Sequence, residues 1–252
     1  FPAHHIAFAD IAAAPRLQQD YQTYFDAIGT QRLRMWQEFG VKYVLASRSH
    51  LTGLYQQMPA LRGVFREAWS YSLAQSAPGV LDIVPGTRER PGNLVVLEFL
   101  PPSGRFQLIS RAQPGTEEEV GSAIEAGEPP LSAVRIQDSS FEGFSFRAPP
   151  GEVTGILPTQ SGFLLQVRVD TPNAILRLAD RFDPALRARI NGGDPIPLLQ
   201  TDLLFAGLEL PQGVHEVELL ADLPTGGRIV QAAGLILCLG IALSLVKRKE
   251  AT

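Results

Sequence analysis

The sequence predicts an α+β fold made of a small α/β domain at 1–114, a jelly-roll-like antiparallel β-sandwich at 131–224 and one C-terminal transmembrane helix. Three observations predict it. Helical periodicity alternates with short apolar strands in the first part, and evenly spaced short strands fill the second. An uncharged apolar run then precedes a basic tail at 247–252.

Two short helices are predicted at the start of the first domain. Apolar residues recur every three to four positions between 13 and 39, as on one face of a helix. Gly29 interrupts this pattern, Thr30 is the predicted N-cap of the second helix, and Gly40 ends it. The β-forming residues that follow predict strands at 41–46, 64–73, 79–84, 94–100 and 106–111, separated by turn sequences such as PGT, RPGN and PPSG.

An acidic linker is predicted at 115–130, where Gly and Pro flank a run of glutamates. A short helix from Glu117 to Ala126 fits this segment. Thr116 is its predicted N-cap, and Glu119, three residues later, completes a capping box. We expect a solvated connecting helix.

The β-sandwich is predicted from alternating apolar and polar residues after Ala133. The strand-like runs are VRIQD, FEGFSFRA, GFLLQVRVD, AILRLAD, ARIN, LLFAGLEL and HEVELLAD. Turn sequences such as PPGE, TPN, NGGD and PQG separate them. This spacing is typical of an antiparallel sandwich or jelly roll.

The run from Ile229 to Val246 predicts a transmembrane helix, with a buried core helix as the alternative. Eighteen residues of helix span about 27 Å, close to the hydrocarbon core of a bilayer. The basic residues Lys247, Arg248 and Lys249 follow it and predict a cytoplasmic tail, with residues 1 to about 225 on the outer side of the membrane. Because the chain begins FPAHHIAFAD, without a signal peptide, we expect an export signal or earlier spans upstream.

Composition excludes several classes of protein. Twenty-two basic and 26 acidic residues give a net charge of −4, and neither sign forms a long block, so nucleic-acid binding is not predicted. Cys238 is the single cysteine, which excludes an internal disulfide and a cysteine-based zinc site.

No catalytic residue, metal site or cofactor is predicted within this chain. His4 and His5 are adjacent, so they point to opposite sides of an extended chain, and no acidic partner follows at metal-ligand spacing. Ser49 and His50 lack the glycines of a nucleophile elbow. His215 is interpreted as a hairpin cap or a solvent-facing strand residue.

The segment from AILRLAD to HEVELL, followed by an apolar run and a basic stop, resembles the C-terminal extracytoplasmic end of YfhO-type bacterial membrane proteins. The matched positions are Phe182, Pro184, Leu186, Asn191, Gly192, Asp202, Phe205, Pro211, Gly213, His215 and Val217. EFGVKYVLA at 38–46 is similar to the family's LGVKYVL. Leu186 stands near a position where the family has tryptophan.

The resemblance implies a multi-spanning protein related to GT-C glycosyltransferases, which transfer a sugar from a polyprenyl-phosphate carrier in the cell envelope. The acid that catalyses transfer lies in an early outer loop, outside this chain. The implied partners are the lipid bilayer, the other transmembrane helices of the parent protein, and a polyprenyl-phosphate-sugar or an envelope glycan. The alternative is a non-catalytic, membrane-anchored binding or assembly module of the cell envelope.

A polar cluster in the sandwich is the candidate glycan-binding site. Planar side chains that donate or accept hydrogen bonds in pairs hold sugars, and surface ion pairs are the alternative interpretation. The candidate residues are Asp180, Asp183, Arg187, Arg189 and Asn191.

Overall fold

A computed structural model describes residues 19–77, 80–87, 89–102, 104–159 and 162–221, and their fold is α+β, as the sequence predicts. The helices are α1 (Gln19–Ile28), α2 (Arg32–Glu38), α3 (Arg48–Gln57) and α4 (Glu117–Glu125), with a 3-10 turn at Pro59–Gly63. The strands are β1 (Tyr43–Ser47), β2 (Phe65–Ala77), β3 (Val80–Pro85), β4 (Leu94–Phe99), β5 (Phe106–Ile109), β6 (Arg111–Pro114), β7 (Val134–Ile136), β8 (Phe144–Ser145), β9 (Gly151–Pro158), β10 (Gly162–Arg181), β11 (Leu186–Ile190), β12 (Ile196–Pro197), β13 (Leu199–Thr201) and β14 (Phe205–Ala221).

The two predicted N-terminal helices are present, with one correction at their junction. Gln31 is the N-cap of α2, and no side chain caps that helix, so the prediction of Thr30 as N-cap is wrong. The side-chain Nε2 of Gln31 donates to the backbone carbonyl of Ile124 near the end of α4. Gly40 ends α2 with a φ of 62°, a conformation that favours glycine.

The first sheet has the strand order β1-β4-β2-β3, with every pair antiparallel. Helix α3, which the sequence did not predict, begins where the Ser47 hydroxyl accepts from the amide of His50. Leu51 of α3 and Leu61 pack with Phe65, Val95, Leu97 and Phe99 on one face of the sheet. The helices therefore cover one side of this sheet.

The second sheet contains the sandwich, built around the long antiparallel pair of β10 and β14. The pairing of β10 with β14 skips from Val169 to Asn173, and the chain bends there. Side chains before the bend, such as Leu165, and after it, such as Leu176, share one buried cluster. The ribbon therefore folds over itself into two packed layers, as expected for a sandwich.

The structure assigns the segment after Phe99 differently from the sequence. Strands β5 and β6, predicted within the first domain, pair in the second sheet. Helix α4 has the predicted capping box of Thr116 and Glu119, but Val120 and Ile124 are fully buried. It connects β6 to β7, which pair in parallel, so α4 is a packed crossover helix rather than a solvated linker.

The predicted membrane segment at 229–246 and the tail residues Lys247, Arg248 and Lys249 lie outside the described residues. Within the described ranges, no helix has the length and apolar character needed to cross a membrane.

Gly207 tests the packing of the sandwich. A Cβ at this position would lie 2.7 Å from the Thr201 methyl and 3.1 Å from that of Ile175. We expect Gly207→Ala to lower the free energy of unfolding by about 1–3 kcal/mol, the usual cost of overpacking. Chemical denaturation measures it. The control is Gly53→Ala in α3, where a Cβ meets nothing within 4 Å; it should be neutral or stabilising by up to about 1 kcal/mol.

Candidate functional site

One layer of the sandwich presents a polar outer face, formed by outward side chains of β9, β10, β14 and β11. Strand pairing places Arg189 beside Glu218 and Glu218 beside Leu164. The next rows place Glu216 beside Gln166, and Arg168 beside Glu152. The polar outer face therefore consists of Arg189, Glu218, Glu216, Gln166, Arg168 and Glu152.

Ion pairs organise the polar outer face. Arg189 Nη1 lies 3.2 Å from a Glu218 carboxylate oxygen. Arg168 lies 3.1 Å from Glu152 and 3.4 Å from Asp170. Cations and anions alternate across neighbouring strands, so no field of one sign develops. This surface suits a ligand with many hydroxyl groups better than a polyanion.

Apolar side chains interrupt the polar outer face. Leu157 and Leu164 are cross-strand partners next to Glu218, and Leu157 is exposed. Gly155 stands opposite Gln166, and the Gln166 side chain lies over it, because a Cβ on Gly155 would be 3.4 Å from the Gln166 Oε1. A sugar ring, which carries hydroxyls on its edge and C–H groups on its faces, matches this mixture of surfaces.

Two predicted glycan-binding residues, Asp180 and Asp183, lie away from the polar outer face. The two carboxylate oxygens of Asp180 accept from Arg105 Nε and Nη2 at 2.9 and 2.7 Å. Asp183 Oδ1 accepts from the amide of Ala185 at 2.8 Å and so forms a turn before β11. Both carboxylates therefore have local structural partners.

The other three predicted residues lie on β11 or directly after it. Arg189 belongs to the polar outer face. Arg187 points to the same side of β11 and donates to backbone carbonyls of Pro184 and Leu186. Asn191 has a φ of 52° in the predicted Asn-Gly turn, and its Oδ1 accepts from the amide of Glu216. The structure thus brings Arg187, Arg189 and Asn191 to one edge and separates the two aspartates from them.

A second polar cluster is buried between the helices and the sandwich. Tyr24 donates to Glu38 Oε2 at 2.5 Å, and Arg34 Nε donates to Glu38 Oε1 at 2.6 Å. Arg177 Nη1 donates to the Glu38 carbonyl at 3.2 Å. Its Nε lies 3.2 Å from Asp202 Oδ2, and its guanidinium lies 4.0 Å from the centre of the Phe205 ring. Two cations thus balance two carboxylates.

Burial controls protonation in this cluster. Burial, followed by the nearby Glu38 carboxylate, raises the pKa of Tyr24 above its ordinary value of 10.0, so the hydroxyl stays protonated and donates. Burial also raises the pKa of Asp202 from 3.8 to about 6, against the opposing effect of Arg177. Tyr24, Glu38, Arg177 and Asp202 are buried, so these groups contact one another and neighbouring protein atoms rather than solvent.

Other polar groups offer little chemistry. The described ranges hold no group of three or more His, Cys, Asp or Glu side chains able to bind a metal ion. A shallow open groove of about 410 Å³ is lined by Asn173, Ile196, Pro197, Leu199, Leu208, Glu209 and Pro211. His215 is buried, with Nε2 2.8 Å from the Pro211 carbonyl. Both residues belong to the single strand β14, so His215 neither faces solvent nor caps a hairpin, and it links two residues of one strand at its bend.

No protein-family model, curated protein or solved structure matches this chain.

Of the polar outer face, only Arg189 was predicted from the sequence as a site residue, and the buried cluster was not predicted at all. The alternation in GFLLQVRVD does place Gln166 and Arg168 on the side opposite Leu165 and Val167, so that signal was available. No comparable signal exists for Arg177, because its place in AILRLAD is the one that a solvent-facing residue would occupy.

A substitution of Arg177 tests how much the buried cluster stabilises the fold. Arg177→Met keeps much of the side-chain volume but leaves Glu38 and Asp202 without their shared cation. We expect the free energy of unfolding to fall by about 3–5 kcal/mol, the cost of breaking a buried pair on one side. Arg168→Met, which breaks exposed pairs, should cost less than about 1 kcal/mol. Denaturant titration at neutral pH measures both, and equal losses would contradict the distinction.

Asp202 should give the protein a pH-dependent stability. An acid whose pKa is higher in the folded state than in the unfolded state adds to the free energy of unfolding. This stabilisation is fully present below the unfolded pKa of 3.8 and is lost as the pH rises through the folded pKa of about 6. The difference between the two pKa values corresponds to about 3 kcal/mol of unfolding free energy. We expect Asp202→Asn to remove this component. The measurement is the difference in unfolding free energy between wild type and variant, taken at intervals from about pH 4 to about pH 7. A difference that does not change with pH would contradict the assignment.

Proposed function

We propose that the chain is the extracytoplasmic C-terminal part of a bacterial integral membrane protein that resembles lipid-carrier-dependent glycosyltransferases of the cell envelope. In this proposal the sandwich holds a glycan or the acceptor near the membrane, and sugar transfer takes place on parts of the parent protein outside this chain. The sequence resemblance to YfhO-type proteins and the predicted membrane segment at 229–246 support the membrane location.

The observation that carries the glycan proposal is the polar outer face. Paired strands bring guanidinium groups, carboxylates and a carboxamide to one surface, around the exposed Leu157. Arg189 and Gln166 supply planar donors, while Glu216 and Glu218 supply acceptors. Such groups bind vicinal hydroxyls in pairs.

The sugar-binding test uses a panel of neutral hexose and N-acetylhexosamine oligosaccharides and monitors backbone amide shifts by NMR. We expect shifts at Gln166, Glu218 and Arg189. Arg189→Ala should weaken binding about tenfold, which corresponds to about 1.4 kcal/mol, because a hydrogen bond from a charged donor is lost.

The matched control is Arg66→Ala, because Arg66 also forms a cross-strand ion pair, with Glu98 on the first sheet. It should bind the panel with wild-type affinity. Equal weakening by both variants, or no binding of any oligosaccharide in the panel, would contradict the glycan proposal and favour the membrane-anchored assembly module.

A further inference from the structure

The face of the first sheet opposite α3 is apolar and uncovered by any residue that the structure describes. Cross-strand partners place Leu45 beside Val96, Val96 beside Trp69, and Leu73 beside Ile83. We call this surface the open apolar face; it consists of Tyr43, Leu45, Leu94, Val96, Trp69, Tyr71, Leu73, Leu81 and Ile83.

Exposure of the open apolar face is large for a protein surface. Trp69 is 59% exposed, Leu45 62% and Ile83 68%. The rings of Tyr43 and Trp69 lie 5.5 Å apart and form its aromatic part. Isolated exposed apolar side chains are common on protein surfaces, whereas contiguous apolar patches mark interaction surfaces.

Charge is confined to one edge of the open apolar face. Glu98 and Arg66, which pair with each other, lie in one row with Tyr43. The Lys42 ammonium lies 5.6 Å from the centre of the Tyr43 ring. The edge thus combines two cations and one carboxylate with a tyrosine. The rest of the face is hydrocarbon and aromatic apart from two uncharged polar residues, Ser47 beside Leu94 and Gln75 beside Leu81.

The first sheet adjoins the end of the sandwich at which β14 ends. Phe106 and Phe163 have ring centres 5.4 Å apart, and Phe163 pairs with Leu219, two residues before the end of β14. Gly104, two residues before Phe106, lies against Gly40. A Cβ on Gly40 would be 2.7 Å from the carbonyl carbon of Gly104. The first sheet, which begins three residues after Gly40, and the end of β14 therefore share one end of the molecule.

The predicted membrane segment starts close to that end. Eight peptide units separate Ala221 from Ile229, and they span at most about 29 Å. If residues 229–246 cross the bilayer, the end of β14 lies within about 29 Å of the lipid surface, and the first sheet adjoins that end of the sandwich.

We propose that the open apolar face rests on the outer leaflet of the lipid bilayer, an inference that depends on the membrane anchor of the proposed function. Tyr and Trp favour the membrane–water interface, where their rings meet both hydrocarbon and water. Leu45, Leu73 and Ile83 supply the buried apolar area. Lys42 and Arg66 at the edge face lipid phosphates, as basic residues of interfacial elements do.

Trp69 is a natural reporter of this contact. The full chain is reconstituted into phosphatidylcholine vesicles with and without bromine on the acyl chains, because bromine quenches nearby tryptophan. Trp36 packs against Phe65 and Phe99 on the covered side of the sheet. We expect bromolipid quenching in the wild type and its loss in Trp69→Phe, which removes the exposed reporter and leaves the core intact.

The matched control places a reporter elsewhere. Val214 is 76% exposed. It adjoins Gly213 at the bend of the β10–β14 pair, at the other end of the sandwich. The double variant Trp69→Phe/Val214→Trp should fold and float with the vesicles but show no bromolipid quenching. Quenching at position 214 equal to that at Trp69 would overturn the proposal, because it would show contact without a preferred face.

Flotation separates the two proposals. A chain that does not float with vesicles contradicts the membrane anchor itself. A chain that floats but shows no quenching of Trp69 overturns only the contact of the open apolar face. Burial of Trp69 without lipid, seen as a blue-shifted emission that depends on protein concentration or on added oligosaccharide, would assign this face to a second copy or a glycan and also overturn it.

Discussion

The buried guanidinium of Arg177 is the contact on which the arrangement of the layers depends. It lies on β10, opposite Gly207 of β14, and its side chain is buried. It joins the end of α2 through Glu38 to the turn before β14 through Asp202. A buried cation is costly unless partners surround it, so the helices and the sandwich can pack only in the register that brings both carboxylates to it.

That register also positions the first sheet. Helix α2 ends at Glu38, and Gly40 turns the chain directly into β1. The close approach of Gly40 to Gly104 then holds the start of β1 next to the segment that leads into β5. The orientation of the open apolar face is therefore set by contacts at the junction of the layers, whereas the strands of the first sheet determine only its composition.

Local signals were sufficient for many elements and insufficient for their assembly. The capping box at Thr116, the turn at Asn191 and the helix end at Gly40 each depend on a few adjacent residues, and each could be predicted. Helix α3 could not, because RSHLTGLYQQ contains a glycine and only three apolar residues of larger size, so packing rather than propensity decides its structure. The assignment of β5 and β6 to the second sheet depends on pairing with strands more than 20 residues away, which periodicity does not reveal.

The candidate site was predictable to the same extent. Strand alternation identifies Arg187 and Arg189 as outward-facing, but pairing across strands determines which outward residues become neighbours. Asp180 was predicted to join them because it is close in sequence, and it instead pairs with Arg105. Four residues, 182–185, separate the end of β10 from the start of β11. The chain turns there from the part of the sheet that pairs with β5 to the part that pairs with the end of β14, and this turn separates Asp180 from Arg189.

The two exposed surfaces have opposite chemistry, and their combination bears on how a tethered domain would act. A domain held to a membrane by one short segment can still rotate about it, so a binding surface on it samples many heights above the lipid. A second contact through the open apolar face would remove most of that freedom. The polar outer face would then keep one orientation, and a glycan bound there would meet a membrane-embedded partner at a higher effective concentration than a freely rotating domain provides.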